Sequence, residues 1–242
     1  MKIFYKLRYS LKSFIFTKKI YLFLLRLLPV HMSYDLNRRL RSPYSSLESE
    51  KSIIFIHIPK AAGNALIKTL YGVSATGHDP LTRYKQHDKC QYDQSFKFAV
   101  VRNPWDRMVS SFHYLKQGGI GFFDADFSQQ YLVDCDDFNV FLHKMMSDSA
   151  YESKIMTWVH FVPQLDFLSL DGESIDVDLC VKLEEMTEKM SEICFSLGIE
   201  PKNMIKDNAS NRESYQSYYS TETASYVKEL YQNDILLLGY KF

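Results

Sequence analysis

Three side chains suited to phosphate recognition lie at two points of the chain, Lys60 at the first and Arg102 with Ser110 at the second. Lysine supplies a compact charge, arginine a planar fork of donors and serine a hydroxyl, and all three donate to anion oxygens. Small or short side chains follow the lysine, namely Ala61, Ala62, Gly63, Asn64 and Ala65. Backbone N–H groups approach an anion closely at such positions. These residues predict a binding site for a phosphorylated nucleotide.

The first group lies in a loop between a predicted strand and a predicted helix. The β-branched, apolar run 53–58 is typical of a buried parallel strand, and Pro59 ends it. Apolar residues at helical spacing over 65–71 predict a helix directly after the loop. The N–H groups and the dipole of a helix N-terminus favour negative charge, so Lys60 stands where an anion is expected.

The second group begins at the end of another predicted strand, 96–102. Asn103 is typical of a helix N-cap and Pro104 of a first helical position, so a helix is predicted from this point. Arg102 lies at the carboxyl end of the strand, which is the edge where open α/β sheets bind ligands. Ser110 lies about two turns into the helix and is expected to face the same anion.

The order of residues in the first loop differs from that of ATP- and GTP-binding P-loops. In those loops the lysine follows the glycines and precedes a Ser or Thr that binds Mg²⁺. Here Lys60 precedes Gly63, and Ala61 follows the lysine. The pattern therefore predicts a P-loop-like anion site that works without a metal. A phosphotransferase that uses ATP and Mg²⁺ stays as the alternative, which the lysine placement disfavours.

Both segments resemble motifs of the PAPS-dependent carbohydrate sulfotransferases, in particular the membrane-associated glycan and polysaccharide group and its bacterial relatives. Residues 57–65, His-Ile-Pro-Lys-Ala-Ala-Gly-Asn-Ala, are similar to the loop that binds the 5′-phosphosulfate of 3′-phosphoadenosine 5′-phosphosulfate (PAPS). Residues 100–112, Val-Val-Arg-Asn-Pro-Trp-Asp-Arg-Met-Val-Ser-Ser-Phe, are similar to the site of the 3′-phosphate. The resemblance covers residues 50–242.

The resemblance implies transfer of a sulfuryl group from PAPS to a hydroxyl of a carbohydrate acceptor, a polysaccharide or a glycolipid. In-line displacement with a general base would leave PAP as the product and need no metal. The resemblance places Lys60 at the phosphosulfate and its leaving oxygen, and Arg102 and Ser110 at the 3′-phosphate. It also suggests Arg212, in the segment 208–212, as a nucleotide contact.

The chain departs from the family pattern within the first loop. Members of the family commonly carry a hydroxyl residue after the lysine and again after the glycine, where this chain has Ala61, Asn64 and Ala65. We expect backbone N–H groups and the Asn64 amide to bind the donor with altered affinity. A catalytically inactive PAP-binding or interaction protein therefore stays open as a further alternative.

A sulfuryl-transfer site also needs a base for the acceptor hydroxyl, and the chain has seven histidines. His78 is the first choice, since it lies in the turn-rich stretch 76–80 between the two motifs, where the family often has a histidine. Its neighbour Asp79 is a candidate to orient it. His87 is the second choice, and His57 is predicted to be a buried structural residue or an orienting residue.

Length and composition predict a single α/β domain, since 242 residues with 46% hydrophobic content bury one sizeable core. The alternation of strand and helix patterns predicts a P-loop-like, doubly wound parallel sheet flanked by helices. The four cysteines form no Cys-x-x-Cys pair, so neither a zinc site nor a disulfide framework is predicted. The formal net charge is zero, and no nucleic-acid partner is predicted.

Residues 1–50 are predicted to be a basic, apolar extension of the sulfotransferase-like domain 51–242. They hold ten Lys or Arg and three Asp or Glu, which gives a charge of +7. Two interpretations stay open for the stretch 1–41: peripheral contact with an anionic membrane, or a helix packed on the domain. The predicted location is cytoplasmic or on the cytoplasmic membrane face, and the Golgi membrane in a eukaryote.

The remaining patterns predict the elements that complete the domain. Residues 117–135 are predicted to be a flexible insertion near the ligand edge, as a lid over the acceptor or an ordinary surface loop. Other segments have helix or strand signals. The first predicted helix is capped by Asp136 or Asp137 and runs to about 147. The other predicted helices are 154–162, 186–197 and 220–236, and the predicted strands are 164–170 and 177–183.

Overall fold

A computed structural model describes residues 23, 25, 27–75, 77–204 and 213–242 of the chain. Arg212 and most of the apolar run within the first 28 residues lie outside the described residues, so the predictions made for them stay predictions.

The described strands form one parallel sheet. They are β1 Ile53–Ile56, β2 Phe96–Val101 and β3 Leu179–Lys182, in the order β1-β2-β3. Ile56 is the partner of Ala99 and Val101 is the partner of Lys182, so the carboxyl ends of neighbouring strands lie side by side. The predicted parallel strands at both motifs and at 177–183 are confirmed. The strand order does not reverse within the described part of the chain, so the doubly wound arrangement is not seen there.

Helices flank this sheet. The described α-helices are α1 Val30–Arg39, α2 Ser46–Lys51, α3 Gly63–Tyr71, α4 Leu81–His87, α5 Lys89–Gln94, α6 Pro104–Lys116, α7 Phe122–Tyr131, α8 Phe138–Ser147, α9 Ser149–Met156, α10 Leu165–Leu168, α11 Met186–Ser196, α12 Thr221–Leu230 and α13 Gln232–Leu238. Short 3-10 helices span Leu183–Glu185 and Tyr215–Tyr218.

The two helices predicted to follow the motifs are confirmed. Helix α3 begins at Gly63, two residues before the predicted start. Asn103 caps α6, since its side-chain oxygen accepts from the Trp105 N–H at 3.1 Å, and Pro104 is the first helical residue. The side chains of α6 that face the core are buried, which fixes this helix against the sheet beside the loop after β1.

The predicted flexible insertion 117–135 is wrong, because most of it is helix α7. Gly121 precedes the helix with φ of 87°, a left-handed value that glycine adopts without strain. Phe127 is fully buried and stacks on Trp158 with ring centroids 4.4 Å apart. Packing of Phe127 against the core stabilises this segment as a helix, although its glycines and aspartates favour a loop.

The predicted strand 164–170 is also wrong, since α10 lies there. The buried carboxylate of Asp234 accepts hydrogen bonds from the N–H groups of Gln164 at 2.7 Å and Leu165 at 2.8 Å. A residue about seventy positions away thus caps the helical turn, and local sequence carries no signal for such a cap.

Two other helix predictions are wrong in their bounds. The helix predicted over 154–162 is α9, which starts earlier, at the Asp148 cap, and ends at Met156. The helix predicted from Ser220 toward Leu236 divides at Tyr231 into α12 and α13. The helices at 137–147 and 186–197 are confirmed by α8 and α11.

Helix α1 packs on the domain. The ring of His31 lies edge-on to Trp158 with centroids 5.3 Å apart, and Tyr34 contacts the same indole at 5.2 Å. The Arg83 guanidinium donates to the backbone carbonyls of Arg38 and Arg41 at the end of this helix. Residues 30–41 thus follow the packed-helix interpretation. Among the described helices, none combines the length and apolar character that crossing a membrane requires.

Candidate active site

The loop between β1 and α3 has a strained backbone. Lys60 has φ of 66° and Ala62 has φ of 59°, left-handed values that side chains other than glycine adopt rarely. Ala62 is the N-cap residue of α3, and no side chain caps this nine-residue helix. The first N–H groups of a helix lack partners within it and attract anions. Backbone strain of this kind is typical of ligand-binding loops.

Two arginines from the second motif hold this loop by its carbonyl oxygens. Arg102 donates from Nη1 to the Lys60 oxygen at 2.8 Å, and Arg107 donates from Nε to the Pro59 oxygen at 3.1 Å. Arg107 also donates from Nη2 to the Val162 oxygen at 2.8 Å and is only 1% exposed. Because the Pro59–Lys60 peptide is trans, its N–H faces away from Arg107. The arginines therefore set the loop conformation before any ligand binds.

Arg102, predicted to contact a 3′-phosphate, lies beside the loop as expected. Its Nε donates to the Asp106 carboxylate at 2.7 Å, so part of the guanidinium is already engaged. The Gln164 side chain bonds both backbone groups of Arg102, because it donates to the Arg102 oxygen at 2.8 Å and accepts from the Arg102 N–H at 2.9 Å. Ser110 is half-buried on α6, two turns along the same helix. The phosphate roles of Arg102 and Ser110 stay predictions.

The other predicted loop residues hold its geometry. Ala61 is buried, and Ala65 lies in the first turn of α3. A Cβ on Gly63 would lie 2.3 Å from His57 Cδ2, so only glycine allows this close approach. The Asn64 side-chain oxygen accepts from the Ala75 N–H at 3.0 Å, which engages one end of the amide that was predicted to bind the donor.

A cluster of three histidines borders the loop: His57, His78 and His160. The rings of His57 and His78 have centroids 4.3 Å apart, and His160 lies 5.9 Å from His78. His78 donates from Nδ1 to the His57 carbonyl oxygen at 2.7 Å. His57 donates from Nδ1 to the Gly77 oxygen at 3.0 Å and is buried, as predicted. His78, the first choice among the histidines for the base, thus lies next to the loop that was predicted to bind an anion.

The hydrogen bonds define the tautomer of His78. A carbonyl oxygen only accepts, so Nδ1 carries the hydrogen and Nε2 of the neutral ring carries a lone pair. Burial, with the neighbouring His57 and His160, holds the pKa of His78 well below its ordinary value. Burial likewise lowers the pKa of His57 to about 4. Both rings are neutral at pH 7, and the lone pair of His78 is on Nε2.

His160 is held by a carboxylate. Its Nε2 lies 3.1 Å from Oδ1 of Asp124, and its backbone oxygen accepts from Ser111 Oγ at 2.9 Å. Burial lowers the pKa of His160, although Asp124 opposes this shift. Burial alone would raise the pKa of Asp124, but hydrogen bonds from His160 and Tyr114 keep it below its ordinary value. The pair is therefore a neutral imidazole that donates to an ionised carboxylate.

The same carboxylate connects the histidine cluster to the loop lysine. Tyr114 donates its hydroxyl to Asp124 Oδ2 at 2.7 Å, and Lys60 Nζ lies 4.0 Å from the centre of the Tyr114 ring. The Tyr114 ring also lies 5.0 Å from the His160 ring. Lys60 and the neutral imidazoles of the histidine cluster thus lie on the same side of the site.

Sequence reasoning missed several residues of this site. Asp124 and Tyr114 lie in or next to the segment predicted as an insertion, and His160 lies in the stretch 154–162, which was predicted only as a helix. Arg107 lies within the second motif without a definite predicted role, and the structure shows it as a buried anchor of the loop.

The predicted role of Asp79 in orienting His78 is wrong. Both carboxylate oxygens of Asp79 are engaged by Arg41 and Arg83, and the His57 carbonyl orients His78 instead. His87, the second choice for the base, is exposed at the end of α4 beside Tyr44 and lies outside the three-histidine cluster. No group of metal-binding side chains occurs among the described residues.

Comparison with known proteins gives one match. A family model described as the sulfotransferase family matches residues 46–241, which is most of the 242-residue chain. No curated protein and no solved structure matches the chain. The matched region contains both arginines of the loop, Lys60 and all three histidines of the cluster.

Proposed function

Because the chain belongs to the sulfotransferase family, we propose that it transfers a sulfuryl group from PAPS to a hydroxyl of a carbohydrate. The observation that carries this proposal is the arrangement around one loop. An arginine-held anion loop with Lys60 lies beside a neutral histidine whose Nε2 accepts a proton. The described residues thus combine a cation at a developing negative charge with a base for a hydroxyl.

The residues of the loop fit a phosphosulfate group. The uncapped N-terminus of α3 and the left-handed Lys60 and Ala62 offer backbone N–H groups to an anion. Lys60 adds a full charge at the same place and would stabilise the leaving phosphate oxygen. Bound PAPS would supply the sulfuryl group, and the 3′-phosphate would lie toward Arg102 and Ser110.

His78 is the proposed base. As a residue His78 is of intermediate exposure and its Nε2 carries a lone pair, whereas His160 is 5% exposed and its Nε2 donates to Asp124. His78 is therefore the better candidate to meet an acceptor hydroxyl. The proton of the hydroxyl would pass to Nε2 while the hydroxyl oxygen bonds to sulfur, and the bond between sulfur and the phosphate oxygen of PAPS would break to release PAP. The lowered pKa of His78 keeps Nε2 unprotonated at neutral pH, and anionic substrates nearby would raise that pKa toward the working range. His160 and Asp124 hold the far side of the cluster.

A carbohydrate acceptor and PAPS are both finer proposals than the family match. They are supported by the resemblance of the loop and of the segment around Arg102 to carbohydrate sulfotransferases. A phosphotransferase that uses ATP and Mg²⁺ remains the alternative enzyme, and it requires a metal ligand after the lysine, where this chain has Ala61. An inactive PAP-binding protein would keep the loop and lose turnover.

The test is isothermal titration calorimetry of the full chain with PAP, ATP and AMP in the presence of EDTA, followed by an acceptor screen with labelled PAPS. Binding of PAP alone, with label transfer to a carbohydrate, supports the proposal. Binding of ATP only after Mg²⁺ is added would support the phosphotransferase. Binding of PAP without transfer to any acceptor class would support the inactive protein.

We also propose peripheral membrane contact through the basic residues that precede α1. Because Leu25 is buried and residues 30–41 pack on the domain, a deletion that tests this contact must end before Phe23. Removing residues 1–22 is expected to leave PAP affinity unchanged and to reduce co-sedimentation with anionic vesicles. Equal sedimentation of both proteins would contradict the membrane contact.

A further inference from the structure

A second cavity, apart from the anion loop, lies between α1 and the domain. Its volume is about 250 Å³, and one wall comes from α1 and the other from Pro80 and the stretch 157–167. This volume far exceeds that of a single water site and lies slightly below the roughly 300–1,000 Å³ typical of pockets for drug-sized ligands. It suits one ring of a ligand and excludes a long segment of chain.

The cavity is lined partly by polar and charged residues, several of which have buried nitrogens without hydrogen-bond partners. Three residues that line the cavity each carry a buried nitrogen for which the described residues provide no hydrogen-bond partner: His31 Nε2, Arg38 Nε and Trp158 Nε1. Asp35 and Asp166 line the same cavity. Buried donors without partners are costly, so a ligand whose acceptor oxygens come within reach of these nitrogens would be favoured here.

The set of groups indicates which kind of ligand fits. The indole and guanidinium nitrogens only donate, carboxylates only accept, and a sugar hydroxyl does both. Arg38 already pairs with Asp35 at 3.0 Å, which leaves Asp166 without a described cation partner in the cavity wall. An acidic ligand would meet this second carboxylate, so an uncharged ring is favoured. Tyr34 adds a half-buried aromatic face for the C–H side of such a ring.

The cavity borders the parts of the molecule that carry the histidine cluster. Pro80 follows the buried Asp79, which is two residues from Gly77 and next to His78. The Tyr34 ring contacts that of Phe123 with centroids 5.6 Å apart, and Phe123 is next to Asp124, the partner of His160. The Val162 carbonyl, on the other wall, binds the loop anchor Arg107.

We propose that this cavity binds one uncharged sugar ring of the acceptor and so directs a neighbouring hydroxyl toward His78. The inference rests on the proposed function, since it gives that function a place for its acceptor. It extends beyond the family match, because α1 lies outside residues 46–241. Part of acceptor selection would then be supplied by a helix that the family match does not include.

The chain has two tryptophans, Trp105 and Trp158, which allows a direct test. Full-length protein labelled with 5-fluorotryptophan gives two ¹⁹F resonances, which Trp105→Phe assigns. Glucose, galactose, N-acetylglucosamine and glucuronic acid are titrated in the presence of saturating PAP. We expect at least one uncharged sugar to shift the Trp158 resonance saturably and to leave that of Trp105 unchanged. Trp105 lies elsewhere, with its indole N–H on the Ala224 oxygen.

A matched pair of variants on α1 sharpens the test. Arg38→Gln removes a cavity donor, whereas Arg39→Gln changes its exposed neighbour. Arg38→Gln is expected to weaken sugar binding about tenfold or more, and Arg39→Gln to leave it unchanged. The PAP dissociation constant should be the same in both variants, and thermal unfolding of each confirms that the fold survives.

The outcomes separate this inference from the proposed function. PAP binding without any sugar-induced shift of Trp158 overturns the cavity assignment alone, and the cavity then holds water only. Stronger binding of glucuronic acid than of the uncharged sugars overturns the charge argument. Equal sugar affinity in both arginine variants overturns the site. Absence of PAP binding overturns the proposed function. If a sugar still shifts the Trp158 resonance of a protein that does not bind PAP, the cavity binds a sugar, but the assignment of that sugar as the acceptor of sulfuryl transfer is overturned.

Discussion

The anion loop and the histidine cluster lie side by side but are built in opposite ways. The loop and its anchors come from two continuous segments, 57–63 and 102–107, joined by charged hydrogen bonds. The cluster collects its side chains from four separate stretches of chain, with His57, His78, Asp124 and His160. The loop carries positive charge, whereas burial keeps the imidazoles neutral.

This difference teaches how one site serves two chemical demands. An anion requires fixed donors, and arginines that hold backbone carbonyls supply them without reorganisation. A hydroxyl requires a base that is unprotonated before the reaction, and burial next to other imidazoles supplies that state. Tyr114 joins the two halves, because its hydroxyl donates to Asp124 of the cluster and its ring contacts Lys60 of the loop. The following substitutions test each half separately.

The largest expected effect is on the cluster. His78→Asn should lower kcat for sulfuryl transfer by about 10²–10⁴-fold, because the proposed proton acceptor is lost, while PAP affinity is retained. The exposed His87→Asn is the matched control and should leave kcat unchanged. Steady-state kinetics with labelled PAPS checks both variants. A larger loss in His160→Asn than in His78→Asn, with a displaced pH profile, would assign the base to His160.

On the loop side, Lys60→Ala should reduce kcat by about 10²–10³-fold, because the charge beside the leaving oxygen is removed. Lys68→Ala, an exposed lysine on α3, is the control. Single-turnover kinetics separates the chemical step from donor binding. An unchanged chemical rate in Lys60→Ala would remove lysine from the reaction and leave it a binding role only.

The cluster should also make stability depend on pH. The pKa of His57 is about 4 in the folded chain and 6.5 as its ordinary value, so the unfolded chain binds more protons between these pH values. The free energy of unfolding should therefore fall by up to about 3 kcal/mol as pH drops through this window, and level off below it.

Urea denaturation across this pH range measures the effect. His57→Gln should flatten the pH dependence, and His87→Gln on the exposed surface should not. A pH dependence that persists unchanged in His57→Gln would assign the titration to other groups, such as the buried His160.

The smallest expected effect separates two roles of Arg102. Arg102→Gln should weaken PAP binding about tenfold or more but change binding of adenosine 5′-phosphosulfate less, because only PAP carries the 3′-phosphate. Calorimetry with both nucleotides, and with Arg39→Gln as control, measures the difference. Equal losses for both nucleotides would show that Arg102 acts through the Lys60 carbonyl and the loop conformation.

The amino-acid sequence by itself determined the parts whose signals are local. Apolar runs that end at Pro59 and Arg102 specified two neighbouring parallel strands, and the Asn103–Pro104 pair specified the start of α6. The run of small residues after Lys60 predicted a loop between β1 and α3, which the structure shows, and the family match agrees with the resemblance. These features depend on residues a few positions apart, so periodicity and capping rules detect them.

Only the tertiary structure decided the features that depend on distant partners. Asp234 makes a helical turn of a segment with strand-like composition, and Phe127 packs a glycine-flanked segment into α7. The pairing of His160 with Asp124 and the clamp of Arg107 on Pro59 join residues 36 and 48 positions apart. Burial and hydrogen bonding in the folded chain create these contacts, and no local sequence pattern indicates which distant side chain a given residue will contact.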